Sequence, residues 1–154
     1  MIARRRSLVG VLALSVVVLG ACAPKLPAGV EKARLEAAID GAIGDANTCV
    51  LIAPARSTNV AYRYNSHTIC ARTLPSCAGG QQSAADLLAA VARDGQPRAT
   101  SCHSTPDGAR DVAWAAGPVP GRPLVYAAVM EGERAMPGRI MTERLAGAFK
   151  DAGL

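Results

Sequence analysis

The chain has 154 residues, of which 50% are apolar and 19% are charged, proportions typical of a globular protein. This composition excludes a disordered tail, a collagen and a coiled coil, and the length predicts one domain. The formal net charge is +5, but Arg4, Arg5 and Arg6 contribute three of the 17 basic residues. Without residues 1–21, 14 basic and 12 acidic residues leave a net charge of +2. We therefore expect no nucleic-acid partner.

The N-terminus has the pattern of an export signal. The three arginines precede an uncharged run, residues 7–21, that is too short to serve comfortably as a permanent membrane helix. The run ends in Leu19-Gly20-Ala21-Cys22, which resembles the lipobox of bacterial lipoproteins. That resemblance implies cleavage before Cys22 and a lipid anchor, a diacylglycerol with palmitate-type chains, on this residue. The alternative is a transmembrane anchor with an incidental cysteine.

These features predict three parts of the chain. Residues 1–21 form a lipoprotein signal peptide, residues 22–29 a lipidated tether, and residues 30–154 a small α+β domain outside the cytoplasm. No later stretch reaches about 18 consecutive apolar residues, so the lipid is the expected contact with the membrane. The run from Arg5 to Val9 loosely resembles a twin-arginine signal, which leaves the export route open.

Apolar spacing in the domain alternates between helical and strand periods. Residues 30–43, a segment that begins at Ser83, and a segment that begins at Pro137-Gly138 have helical spacing. Residues 49–53 are apolar throughout, which is typical of a central strand covered on both faces. Residues 60–64 alternate, which predicts a hairpin with the preceding strand and one buried face made of Val60, Tyr62 and Tyr64.

Further strands are predicted at residues 99–102, 111–117 and 124–130, and the last two are joined by a proline-rich turn. The element order predicts an α+β fold in which an antiparallel sheet packs against N- and C-terminal helices.

Several short segments resemble class D serine β-lactamases and related penicillin-binding domains. They are Cys49-Val50-Leu51-Ile52, Tyr64-Asn65, Leu74-Pro75-Ser76-Cys77, Trp114-Ala115-Ala116-Gly117 and Pro120-Gly121-Arg122-Pro123-Leu124-Val125-Tyr126-Ala127. The resemblance implies the sheet lobe of that fold, reduced and without its helical lobe. Roadblock-like and profilin-like modules share the same element order.

The catalytic motifs of that family are missing. Its serine needs a lysine three residues later as a base, but Gly79 follows Ser76 at that distance. No lysine lies between Lys32 and Lys150, and Ser101-Cys102-His103-Ser104-Thr105 stands in place of the later Lys-Thr-Gly strand. We therefore predict no catalytic residues, no cofactor and no enzymatic activity. The alternative is a serine hydrolase acting on cell-wall peptides or β-lactams.

Other candidate sites have weaker patterns. A serine triad using His67 or His103 with Asp107 or Asp111 lacks a Gly-x-Ser-x-Gly elbow. The segment Glu131-Gly132-Glu133-Arg134 is interpreted as a solvated loop and not as a paired-carboxylate site.

Four cysteines remain once Cys22 is acylated: Cys49, Cys70, Cys77 and Cys102. In an exported protein they are expected to form two disulfides. The predicted hairpin favours Cys49–Cys70, which leaves Cys77–Cys102, whose segments meet beside the active site in the resembled family. The alternative pairing is Cys70–Cys77 with Cys49–Cys102. A zinc site made from these cysteines and the two histidines lacks Cys-x-x-Cys spacing, so no metal is predicted.

Together these features predict a bacterial cell-envelope lipoprotein with a non-catalytic binding or scaffolding domain. The expected partners are the membrane, through the lipid anchor, and an envelope protein or a peptidoglycan-derived ligand. A purely structural envelope protein is the third hypothesis.

Overall fold

The computed structural model describes residues 25–154. Its elements, in chain order, are α1 (Lys32–Ile43), β1 (Cys49–Pro54), β2 (Tyr62–Tyr64), α2 (His67–Cys70), β3 (Leu74–Pro75), β4 (Gln81–Gln82), α3 (Ala84–Asp94), β5 (Arg98–His103), β6 (Asp111–Pro118), β7 (Leu124–Gly132) and α4 (Gly138–Asp151). None of the helices within this part of the chain has the length and hydrophobicity needed to cross a bilayer. The predicted signal peptide and Cys22 lie outside the described residues.

Five strands form one antiparallel sheet in the order β2-β1-β7-β6-β5, and β3 pairs with β4 separately. The first strand lies between its hairpin partner and a strand from the end of the chain, since Val50 pairs with both Tyr64 and Ala128. The predicted α+β fold, with an antiparallel sheet and helices at both ends of the domain, is confirmed.

Two hydrophobic clusters cover the two faces of the sheet. The first holds residues of α1 and α4, such as Leu35 and Phe149, and the second is built around α3, with Leu88 and Val91. Strand β1 contributes to both, because Val50 and Ile52 face the first cluster whereas Cys49, Leu51 and Ala53 face the second. This alternation explains the unbroken apolar run, since both faces of a central strand are buried.

The third helix has the ends that its sequence predicts. The Ser83 hydroxyl accepts a hydrogen bond from the Asp86 backbone N–H, and the Asp86 carboxylate accepts one from the Ser83 N–H. Gly95 ends the helix in a left-handed conformation with φ of 68°. A reciprocal cap and a left-handed glycine satisfy backbone groups that the helix itself leaves unpaired.

Two interpretations from the sequence are wrong in detail. Val60 lies before β2 and packs against the second cluster, whereas Tyr62 and Tyr64 belong to the first. The regular alternation begins only at Tyr62, so Val60 is not on the face of the tyrosines. Glu131 is not in a solvated loop: it lies near the end of β7 and is only 3% exposed.

Candidate ligand-binding groove

A groove of about 710 Å³ lies between the outer side of α1 and the segment that follows β2. The stripe Ala33, Glu36, Ala37 and Asp40 forms one wall, since residues three and four apart lie on the same side of a helix. Tyr64 and Asn65 form the other wall, and the Gly44–Ala46 turn closes one end. We refer to this cavity as the acidic groove.

Asn65 connects the closing turn to the sheet. Its backbone has a φ of 72°, a left-handed conformation that asparagine tolerates better than most residues. Its side-chain amide donates to the carbonyl oxygens of Ala46 and Thr48 at 3.1 and 3.0 Å. The buried Thr48 hydroxyl in turn donates to the Ile43 carbonyl at 3.0 Å. The end of the groove is therefore held by hydrogen bonds to the end of α1 and to the sheet.

One hydrogen bond spans the two walls. The Tyr64 hydroxyl donates to Asp40 Oδ1 at 2.6 Å. Burial raises the pKa of Tyr64, and the hydrogen bond to the Asp40 carboxylate raises that pKa further. Tyr64 therefore stays protonated at physiological pH and remains a donor.

The groove has a negative charge that no lining cation neutralises. Glu36, Asp40 and Asp45 line it, and no lysine, arginine or histidine does so among the described residues. All three acidic residues are exposed, while three alanines contribute apolar surface to the lining. An open cleft of this kind favours a ligand with a positive charge beside a small apolar group.

The residues of the predicted serine-based alternatives lie apart from this groove. The Ser76 hydroxyl donates to the Gly79 carbonyl at 2.8 Å, in the turn between β3 and β4. The His103 ring pairs with Asp111 at 2.7 Å, but both side chains are exposed at the end of the β5–β6 hairpin. Within residues 25–154, no hydrogen bond joins a serine hydroxyl to either histidine.

The remaining triad candidates have local contacts. Asp107 accepts from the Thr105 hydroxyl at 2.6 Å and from the Ala109 N–H at 3.1 Å, so it stabilises a turn. His67 begins the short helix α2 and is exposed.

The four cysteines form two disulfides, Cys49–Cys70 and Cys77–Cys102, as the favoured pairing predicts. The first bridge is buried beneath α3, and the second ties the turn after β3 to the edge strand β5. Both therefore lie on the side of the sheet that carries the second cluster, away from the acidic groove.

Glu131 forms a buried ionic cluster near the C-terminal end of β7. Its carboxylate accepts hydrogen bonds from Arg110 at 2.7 and 2.9 Å, from Arg72 at 2.8 Å and from Ser104 at 2.9 Å. The bonds from Arg110, and then those from Arg72 and Ser104, outweigh burial and hold the pKa of Glu131 at about 2. All acceptor positions are occupied, which indicates a structural role.

The acidic groove was not predicted from the sequence. Helical periodicity identifies the buried side of α1, but it says nothing about what lies opposite the exposed side. The available signals were Glu36 and Asp40, four residues apart, and an asparagine directly after an alternating strand.

The kinship with β-lactamases and penicillin-binding domains remains a prediction. The residues that carry it, from Cys49–Ile52 to Trp114–Gly117, lie in the sheet and in the hairpin beside it. Comparison with models of protein families, with curated proteins and with solved structures finds no match to this chain.

Proposed function

We propose that the protein is a lipid-anchored module of the bacterial cell envelope that binds a cationic ligand in the acidic groove. The observation that carries this proposal is a cavity with three carboxylates and, among its described lining residues, no lysine, arginine or histidine. The lipobox-like segment before Cys22 and the two disulfides support a location outside the cytoplasm.

The groove suits a primary amine on a short peptide. An ammonium group has three N–H donors, which match the carboxylates of Asp40 and Asp45. The alanine surface of α1 contacts the aliphatic part of such a side chain. Long cationic side chains commonly bury this part against apolar surface while the charged group stays in water. A peptidoglycan stem peptide or a basic segment of an envelope protein has this chemistry.

Titration with a lysine-bearing peptidoglycan stem peptide tests the proposal. Asp40→Asn and Asp45→Asn are each expected to weaken binding about fivefold, since an exposed ion pair contributes up to about 1 kcal/mol. Amide chemical shifts should change at residues 44–47 and 64–65. Glu143→Gln, on the exposed surface of α4, is the matched control and should leave the affinity unchanged.

The same peptide with its lysine amine acetylated distinguishes charge from shape. Acetylation removes the positive charge, so binding should be lost. Equal affinity for the two peptides would contradict the acidic groove as the binding site. Equal affinity of Asp40→Asn, Asp45→Asn and Glu143→Gln for the unmodified peptide would also contradict it.

The non-catalytic part of the proposal is supported by the surroundings of Ser76. Its hydroxyl donates to a backbone carbonyl, and the hydrogen bond that it accepts comes from the Ala78 N–H at 3.3 Å. Without an adjacent base a serine is a weak nucleophile. Purified protein incubated with a fluorescent penicillin should therefore show no covalent label. A label that Ser76→Ala removes would establish the hydrolase alternative instead.

A further inference from the structure

A second cavity, of about 560 Å³, lies next to the acidic groove, where the tether meets the sheet. Its charged lining residues are Lys25, Lys32 and Arg63, and no acidic residue lines it among those described. Leu26, Val30 and the Tyr62 ring contribute apolar surface. We refer to this cavity as the basic pocket.

Tyr62 lines the basic pocket, but its hydroxyl is buried. The residue is only 4% exposed, and its hydroxyl has no hydrogen-bond partner in the part of the chain that the structure describes. Burial, with a smaller contribution from the charge of Glu36, raises the pKa of Tyr62 to about 12, so the proton is retained. Because its accessible surface is negligible, the hydroxyl does not contact a ligand in the pocket, and the binding groups of the pocket are its three cations.

The length of the tether places this pocket close to the proposed anchor. Leu26 packs against the first cluster, which fixes the chain to the domain at that point. Leu26 is four positions after Cys22, and a fully extended chain spans at most about 3.6 Å per residue. A bilayer that holds Cys22 therefore lies within about 14 Å of Leu26.

The neighbouring turns add positive charge at the same end of the sheet. Ile52 pairs with Tyr62, and Pro54 pairs with Leu124, so the turns that contain Arg56 and Arg122 lie at this end. Both arginines are exposed. Glu31, just before α1, is an exposed acidic residue near this end, and the first turn of α1 contains none.

We propose that the basic pocket binds the phosphate headgroup of an anionic phospholipid and so sets the orientation of the domain on the membrane. Lys25, Lys32 and Arg63 attract the phosphate. The proposal rests on the lipid anchor of the proposed function, because the anchor brings the pocket to the bilayer.

This orientation directs the acidic groove away from the anionic surface. Helix α1 rises about 1.5 Å per residue, so Asp40 lies about 12 Å along the axis from Lys32. With the N-terminal end of α1 facing the bilayer, as the proposal requires, the Asp40 carboxylate is farther from the membrane than the Lys32 ammonium group. The anionic membrane surface repels the acidic groove and attracts the basic pocket, and both effects favour the same orientation.

Hydrogen exchange on the acylated protein in vesicles tests the orientation. In vesicles that contain phosphatidylglycerol, backbone amides at residues 30–34 and 61–65 should exchange more slowly than in pure phosphatidylcholine. Amides at residues 45–48 should be unchanged. Protein that fails to stay with phosphatidylcholine vesicles contradicts the anchor, whereas retained protein with equal exchange in both vesicles overturns the headgroup site.

Binding of soluble short-chain phosphatidylglycerol measures the pocket independently of the anchor. Removing the charges with Lys25→Gln, Lys32→Gln and Arg63→Gln should weaken binding about fivefold for each residue. The charge-matched variant with glutamine at Arg93, Arg134 and Arg139, all exposed and outside the pocket, should retain the wild-type affinity.

Tyr62→Phe provides a second control. The change removes only a buried, unpaired hydroxyl, so neither the melting temperature nor the affinity for phosphatidylglycerol should fall. A loss of affinity in this variant would contradict binding by the three cations alone. Equal affinity for inorganic phosphate and phosphatidylglycerol would overturn the lipid headgroup as the ligand.

Discussion

The Glu131 carboxylate joins segments that are far apart in the sequence. Arg72 follows α2, Ser104 follows β5, and Arg110 precedes β6, yet all three donate to this one buried side chain. Removal of one partner of a buried ion pair leaves the other charge without compensation, which is strongly destabilising. Glu131 is therefore expected to govern the acid stability of the domain.

Lowering the pH should unfold the protein over a range set by Glu131. Its pKa is about 2 in the folded state and 4.5 when unperturbed, so its contribution is complete above about pH 4.5 and declines as the pH falls towards 2. The shift corresponds to about 3 kcal/mol at neutral pH. Glu131→Gln should remove this contribution and flatten the pH dependence, as measured by urea unfolding.

Glu143→Gln provides the control for this experiment. Glu143 is exposed on α4 and is not a partner of Glu131, so its substitution should leave both the stability and its pH dependence unchanged. If both variants respond to pH like the wild type, the ionic cluster does not contribute as described.

Among the elements, α4 depends on one close contact with the sheet. At Gly138, a Cβ would lie 2.7 Å from the Thr100 carbonyl oxygen and would also collide with the Trp114 carbonyl. The Gly138 N–H donates to the Ser101 hydroxyl at 2.9 Å. Only a residue without a side chain allows the helix to begin directly against β5 and β6.

Gly138→Ala should therefore move the start of α4 and destabilise the protein by about 1 to 3 kcal/mol. Gly147→Ala, in the same helix, is the matched control. A Cβ at Gly147 meets nothing within 4 Å, so alanine should stabilise the helix by about 0.5 to 1 kcal/mol. Urea unfolding of the two variants should give effects of opposite sign; equal effects would contradict the close contact.

The sequence predicts those elements that form through contacts between neighbouring residues. The helix cap at Ser83 and the apolar run of β1 use neighbouring residues, so the sequence predicts both. The short helix α2 and the two-residue strands β3 and β4 are too brief to give a periodic signal. They depend on the Cys49–Cys70 bridge and on the hydrogen bond from Trp114 to the Pro75 carbonyl at 2.8 Å.

The candidate site depends on contacts of longer range. Asp40 and Tyr64 are 24 residues apart, and Glu131 and Arg72 are 59 apart. Local patterns do not determine which side chains meet across such distances. For this reason the sequence predicted the disulfide pairing, which follows from one hairpin, but not the acidic groove or the ionic cluster.

For the whole molecule, we predict that attachment to the membrane depends on Cys22. Cys22→Ser replaces the thiol that the modifying enzyme alkylates, so incorporation of labelled fatty acid and retention in the membrane fraction should both be lost. Ala23→Ser, which leaves the thiol in place, is the control. Fatty acid that still labels the Cys22→Ser protein would contradict the lipobox assignment.

The position of β1 between β2 and β7 also determines when the chain can fold. Cys49–Pro54 pairs along its whole length with Leu124–Val129, whereas its hairpin partner covers only three residues. Until those late residues have been synthesised, the aliphatic edge of β1 is unprotected against association with other chains. An unfinished chain is thus a substrate for chaperones and proteases, and truncation within β7 should prevent the domain from folding.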